Sequence, residues 1–145
     1  MRTIRILLVE DNPGDVRLTQ EALKSGKILY DLQVAKDGRQ AMDFLLKNAP
    51  YADAFTPDLI LLDLNIPVVS GREVLAEVKS TPHLKQIPVI ILTTSSDERD
   101  VTDTYAHDAN CYITKPFDFD QFINVIKLID NFWLSIVKLP ENERL

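Results

Sequence analysis

Short apolar runs recur along this chain at intervals that leave room for one helix between each pair. Ile4-Arg5-Ile6-Leu7-Leu8-Val9, Leu59-Ile60-Leu61-Leu62 and Val89-Ile90-Ile91-Leu92 are of strand length, and Cys111-Tyr112-Ile113-Thr114 is a shorter run of the same kind. They show little in–out alternation, which fits strands buried on both faces of a parallel sheet. Asp31-Leu32-Gln33-Val34-Ala35 is weaker and alternates, as an edge strand does. The intervening segments read as helices. Asn12 is placed to cap a helix with Pro13 at its first position, running to about Ser25 with Gly26 as its stop. Asp37 to Asn48 carries Ala41, Met42, Phe44, Leu45 and Leu46 on one broad face, and Gly71 to Ser80 carries Val74, Leu75 and Val78. Ser96 to Asp108 is polar almost throughout and predicts a loosely held helix. Phe119 to about Val137 is the longest and most apolar of the helical segments.

A strand followed by a helix, five times over, predicts a parallel sheet with helices on both faces. Five strands suit the flavodoxin-like doubly wound α/β order 2-1-3-4-5, in which sites form outside the carboxyl ends of the strands. A chain of 145 residues suits one domain, here 1–138, with a short charged tail over 139–145. No repeat or interdomain linker is visible, and Ala49 to Pro57 is the longest irregular loop.

Composition removes several functions. Lys and Arg number 16 against 22 Asp and Glu, a net charge of −6 with no basic run, which is a poor match to nucleic acid or an anionic membrane surface. The single cysteine, Cys111, cannot form an internal disulfide or a zinc cluster and reads as a small buried hydrophobe. His83 and His107 have no ligand-like spacing and read as surface residues. No apolar run approaches the roughly 20 residues of a membrane helix, and no secretory signal follows Met1, so the expected location is cytoplasmic.

The strand ends carry the chemistry. The first ends in Glu10-Asp11, the third in Asp63, the fourth in Thr93-Thr94 and the fifth in Lys115-Pro116. A parallel sheet brings all of these to one rim. Two unit charges about 4 Å apart repel by on the order of 4 kcal/mol at an effective dielectric of 20. Three clustered carboxylates therefore need a proton, a cation or the lysine to relieve them. A hard divalent ion such as Mg²⁺ suits one or two carboxylates, a carbonyl and a phosphate oxygen. An aspartate facing such an ion and an ammonium is a candidate phosphoryl acceptor, with catalysis by positioning and charge stabilisation.

In order and spacing, Glu10-Asp11, Asp37-Gly38 with Ala41, Asp58 to Pro67 with Gly71, Pro88 to Thr93 and Lys115-Pro116-Phe117 resemble the receiver (CheY-like) domain of two-component signalling, over roughly residues 4 to 137. The resemblance implies that Asp63 is the phosphoacceptor for a partner histidine kinase. It implies Mg²⁺ held by Asp11 directly, by Glu10 through water, by Asp63 and by the Asn65 carbonyl. It further implies that Thr93 bonds a phosphoryl oxygen, that Lys115 pairs with Asp63 and then with phosphate, and that Tyr112 swings inward as Thr93 shifts. The Lys115-Pro116 bond is expected to be cis. Thr94 stands where receivers often carry a smaller residue, which is expected to narrow access to the phosphate. The long loop, Asn12-Pro13-Gly14-Asp15 and Phe132-Trp133 resemble the single-domain regulators that serve bacterial phytochrome kinases. Such a regulator acts through protein contacts or phosphorelay rather than as an enzyme or a DNA binder.

Two other readings remain. An aspartyl-phosphate hydrolase wants a second acid two residues after its nucleophile, where Asn65 stands. A non-phosphorylated binding module would not require the full set of acids and lysine. A flavin-binding flavodoxin fits less well still, since Glu10-Asp11 repels phosphate unless a cation intervenes. In the last helix, Phe122, Ile126, Ile129 and Trp133 make a sheet-facing stripe with Val137 beside it, and Ile123 and Leu134 flank it. Val125, Leu128, Phe132 and Ile136 make a second stripe, wider than one core face needs, and are the expected homodimer surface.

Overall fold

The computed structural model describes residues 3–93, 111–115 and 118–132. Its elements run β1 (Ile4–Val9), α1 (Pro13–Ser25), β2 (Tyr30–Ala35), α2 (Gly38–Leu45), β3 (Leu59–Asp63), α3 (Gly71–Ser80), β4 (Val89–Thr93), β5 (Cys111–Thr114) and α4 (Phe119–Phe132). The five strands form one sheet of order β2-β1-β3-β4-β5, and every pair is parallel. This is the predicted doubly wound order. The polar segment Ser96–Asp108 lies outside the described residues, as does the tail.

The apolar runs build two cores, one on each face of the sheet. Leu7 and Val9 of β1, Ile60 and Leu62 of β3, and Val89 and Ile91 of β4 point to one face, where Ala41, Phe44 and Leu45 of α2 and Val74, Leu75 and Val78 of α3 cover them. Ile6, Leu8, Leu59, Leu61, Ile90 and Leu92 point to the other face, under Ala22 and Leu23 of α1 and Phe122, Ile123 and Ile126 of α4. Strand period two divides each run between the faces, so a run with no polar gaps is what a doubly covered strand requires. At about 1.5–3 kcal/mol for each large aliphatic side chain, the central strands dominate the hydrophobic stabilisation. Asp31 and Gln33 of the edge strand β2 are exposed, as its alternation predicts. Among the described residues, no helix is long and apolar enough to cross a membrane.

Helix boundaries show where local chemistry corrects the sequence pattern. The Asn12 side chain accepts from the N–H groups of Gly14 at 2.8 Å and Asp15 at 3.1 Å, so α1 opens as predicted. It also stops at Gly26, but the left-handed residue is Lys27, with φ 56°. Lys27 donates to Lys24 O and Ile28 to Leu23 O, which is a Schellman closure. Gly26 is small for another reason: a Cβ there would lie 2.6 Å from Cδ1 of Ile123 on α4. That contact also places Ile123 in the core rather than beside it. Helix α2 ends at Leu45, short of the predicted Asn48, because Lys47 adopts φ 59° and Asn48 donates to Asp43 O in a second Schellman closure. Leu46 is left exposed by that ending. The long loop after α2 is not merely a connection: Tyr51 and Phe55 pack edge-on against Phe44, with ring centroids 5.6 and 5.2 Å away.

Between β3 and α3 the chain makes a tight bend. Val69 donates to Pro67 O across Val68, whose φ is 73°, giving a γ-turn of the rare, strained hand. Two glycines hold the bend at close range. A Cβ on Gly38 would lie 1.9 Å from Val69 O, and one on Gly71 would lie 2.4 Å from Asp63 O. Gly38 N–H donates to Pro67 O, and Gly71 N–H to Leu64 O. Gly38→Ala and Gly71→Ala are each expected to destabilise the protein by about 2 kcal/mol or more in urea unfolding, by steric displacement of backbone. Gly14→Ala should cost least of the three, since its nearest new contact is a side-chain oxygen at 3.1 Å.

Candidate functional site

Parallel register sets the rim. Val9 pairs with Ala35 on one side and Leu62 on the other, and Asp63 pairs with Leu92. The residues that leave β1 and β3 are therefore neighbours. Glu10 extends the ladder by donating its N–H to Ala35 O at 2.9 Å, and this leaves its side chain only 2% exposed. Asp63, the last residue of β3, is 6% exposed. Its Oδ1 accepts the Asn65 N–H at 2.9 Å, which fixes the carboxylate plane above the bend held by the two glycines. Asp11 is exposed at the mouth.

Lys115 enters from the end of β5. Its ammonium donates to Glu10 Oε1, to Asp15 Oδ2 at 2.9 Å and to Asp63 Oδ2 at 3.1 Å. An ammonium has three donors, and three carboxylates take them. Burial alone would lower the affinity of Lys115 for its proton, but the hydrogen bonds to Glu10 and Asp15 and the charges of Asp63 and Glu10 outweigh it, and the group is held firmly protonated. Glu10 moves the other way from most carboxylates. Burial, with the adjacent Asp63, pushes it from the ordinary 4.5 up to about 7 although Lys115 opposes the shift.

Glu10, Asp11 and Asp63 each offer a carboxylate oxygen within 4.8 Å of the others. Three hard oxygen donors at this spacing fit a divalent cation of the Mg²⁺ or Mn²⁺ kind and do not suit a soft-metal site, which would want sulfur or imidazole.

The structure thus brings together Glu10, Asp11, Asp63 and Lys115 as the strand-end argument predicts, with Asn65 exposed beside them. Thr93 ends β4 and Tyr112 lies in β5, half-buried against the core layer of α2 and α3. The Thr93 side chain, Thr94, the Cys111 side chain, Pro116 with its expected cis bond, and His107 lie outside what is described. His83 is exposed as expected. Of the expected dimer surface, Leu128 is 69% exposed, whereas Val125 is half-buried and packs partly on the protein's own core. The Phe132 side chain and Ile136 are outside the described set. The residue that sequence reasoning missed is Asp15. Its signal was an acid in the first turn of a helix whose N-terminus faces the rim, which also reads as ordinary complementation of the helix dipole.

An acidic metal cluster and a buried lysine at the carboxyl edge of a 2-1-3-4-5 sheet define a class, and the chain belongs to it: the response regulator receiver domain family matches residues 6–127. Response regulator Rcp1 of Synechocystis sp. is 48% identical over 135 residues, which cover 93% of this chain and 92% of that one. Among solved structures, the phosphorylated cyanobacterial phytochrome response regulator RcpA is 48% identical, with a TM-score of 0.80 over 92% of this chain and 96% of that chain. The Mn²⁺-bound form of Rcp1 is 47% identical, with a TM-score of 0.79 over 94% and 99%. The bacteriophytochrome response regulator AtBRR is 40% identical, with a TM-score of 0.79 over 92% and 96%.

The raised Glu10 value gives a pH dependence with a definite sign. The folded protein keeps this proton to about pH 7, where the unfolded chain has lost it near 4.5, so Glu10 makes native stability fall as pH rises between these values. A divalent cation must displace the same proton. Its affinity is expected to rise about tenfold from pH 6 to pH 8 by calorimetry, and Glu10→Gln should flatten that slope.

Proposed function

We propose that this protein is a single-domain response regulator that accepts a phosphoryl group on Asp63 from a partner histidine kinase. The observation that carries the reading is the setting of the Asp63 carboxylate: one oxygen is held by the Asn65 N–H, the other meets the Lys115 ammonium at 3.1 Å, and Glu10 and Asp11 stand within 4.8 Å. Mg²⁺ is the expected physiological cation, held by Glu10, Asp11, Asp63 and the Asn65 carbonyl. When bound, it neutralises the acids and the phosphoryl oxygens. An Asp63 oxygen forms the new bond to phosphorus as the phosphorus–nitrogen bond of phosphohistidine breaks, and the freed imidazole nitrogen takes up a proton. Lys115 balances charge on the phosphoryl oxygens. Thr93 and Tyr112 are the proposed switch pair, and the change they make biases a two-state surface read by a downstream protein.

The similarity to Rcp1 and RcpA supports a phytochrome-type kinase as the partner. A cytoplasmic location suits such a partner. The protein acts here as a phosphoacceptor, with only self-phosphorylation and autodephosphorylation of its own.

Incubation with a small phosphodonor and Mg²⁺ should add one phosphoryl group by intact mass to the wild type and none to Asp63→Asn. An unmodified wild type would favour the pure binding module, and multiple turnover of varied phosphoesters would favour the hydrolase. The exposed Leu128, with Val125, Phe132 and Ile136, is the proposed homodimer surface. Sedimentation should show a dimer that Leu128→Glu weakens by at least about tenfold, the penalty for burying a charge against apolar side chains.

A further inference from the structure

We propose that Asp15 is a positioning residue for phosphoryl transfer, holding the Lys115 ammonium over the pocket while its other two partners change hands. The inference rests on the phosphoacceptor reading above and adds a residue to it. Of the three carboxylates on Lys115, Glu10 and Asp63 also belong to the divalent-cation cluster, and Asp15 does not. Cation binding draws on Glu10 and Asp63. Phosphorylation converts the Asp63 carboxylate to an acyl phosphate and takes its negative charge into the phosphoryl group. Asp15 alone keeps its full charge and its lone pairs for the ammonium through both events.

Asp15 is built to stay in place. Its N–H donates to the Asn12 side chain at 3.1 Å, and its carbonyl accepts from the buried Thr19 hydroxyl at 2.9 Å. Asn12 in turn donates its own N–H to Glu10 Oε2 at 3.3 Å. The first turn of α1 is therefore tied at one end to the acidic cluster and at the other to the lysine. The Lys115 side chain is 7% exposed and the Asp15 side chain 29%, so Asp15 is the most exposed of the three carboxylates on the ammonium. Without it, one donor of Lys115 turns to water, and the ammonium has no fixed third point when Asp63 reacts.

Two measurements test this. In metal-free protein carrying ¹⁵N at the lysine Nζ, the Lys115 ammonium resonance, assigned by its loss in Lys115→Met, should be protected from solvent. Asp15→Ala should speed its hydrogen exchange by about tenfold, as a charge-assisted hydrogen bond is lost. With acetyl phosphate at saturating Mg²⁺, an Asp63 oxygen bonds to phosphorus while the acyl oxygen–phosphorus bond breaks and acetate departs. The initial rate of that mass gain should fall about tenfold in Asp15→Ala and less in Asp15→Asn, which keeps an acceptor without the charge. The Mg²⁺ dissociation constant should stay within about twofold, because Asp15 is not in the cation cluster. Asp15→Asn is isosteric and keeps the first turn intact, so it carries the test should the alanine variant fold poorly. Ammonium exchange and transfer rates equal to wild type would overturn the proposal, as would a Mg²⁺ affinity that falls in step with the rate. Wild-type protein that takes up no phosphoryl would sink the phosphoacceptor reading, while the exchange measurement would still decide whether Asp15 holds the lysine.

Discussion

The rim of the sheet is organised by one ammonium. Lys115 draws together the residue after β1, the first turn of α1 and the last residue of β3, three points from separate parts of the chain. Four carboxylates lie at this rim once Asp11 is included, and their mutual repulsion would open it if nothing opposed them. The lysine partly offsets that repulsion, while burial first, and Asp63 after it, raise Glu10 against its pull. Carboxylate oxygens gathered at this spacing suit a hard divalent cation. Replacing such a network by apolar residues often stabilises a fold. The arrangement is therefore better understood as machinery whose cost the two hydrophobic cores offset.

Much of the architecture was legible in the sequence because strand and helix signals agreed at every level. The unbroken runs at Leu59–Leu62 and Val89–Leu92 specified doubly covered strands, and Asn12-Pro13 specified where α1 begins. The acidic residues and Lys115 were legible for the same reason, since a parallel sheet dictates where strand ends meet. The errors have local causes. Lys27 and Lys47 take left-handed backbone that composition assigns to glycine, and the Schellman closure at Lys47 ends α2 short of the hydrophobic pattern. Tyr51 and Phe55 hid in a segment without periodicity, because their packing on Phe44 follows the path of a loop rather than a repeat. Asp15 hid because an acid in a first helical turn has an ordinary explanation. Only the three-dimensional approach of β5 reveals its second role.

Gly38 and Gly71 show how a motif position acquires a physical reason. In sequence they are landmarks in a familiar pattern. In the structure they are the two places where the backbone of one segment lies against the backbone of another with no room for a methyl group. Both act on the bend that follows Asp63, and so the acceptor's position depends on residues far from any reacting atom.

That bend has a further property. Val68 is branched at Cβ, 73% exposed, and sits in backbone that costs such a residue about 1–3 kcal/mol. A relaxed connection would place glycine or asparagine there. The segment leading away from the acceptor thus resembles a bent spring clamped at both ends, its tension supplied by the glycine contacts rather than by its own composition. The glycine contacts and the left-handed Val68 therefore lie on the stretch of chain that leads from Asp63 to the surface.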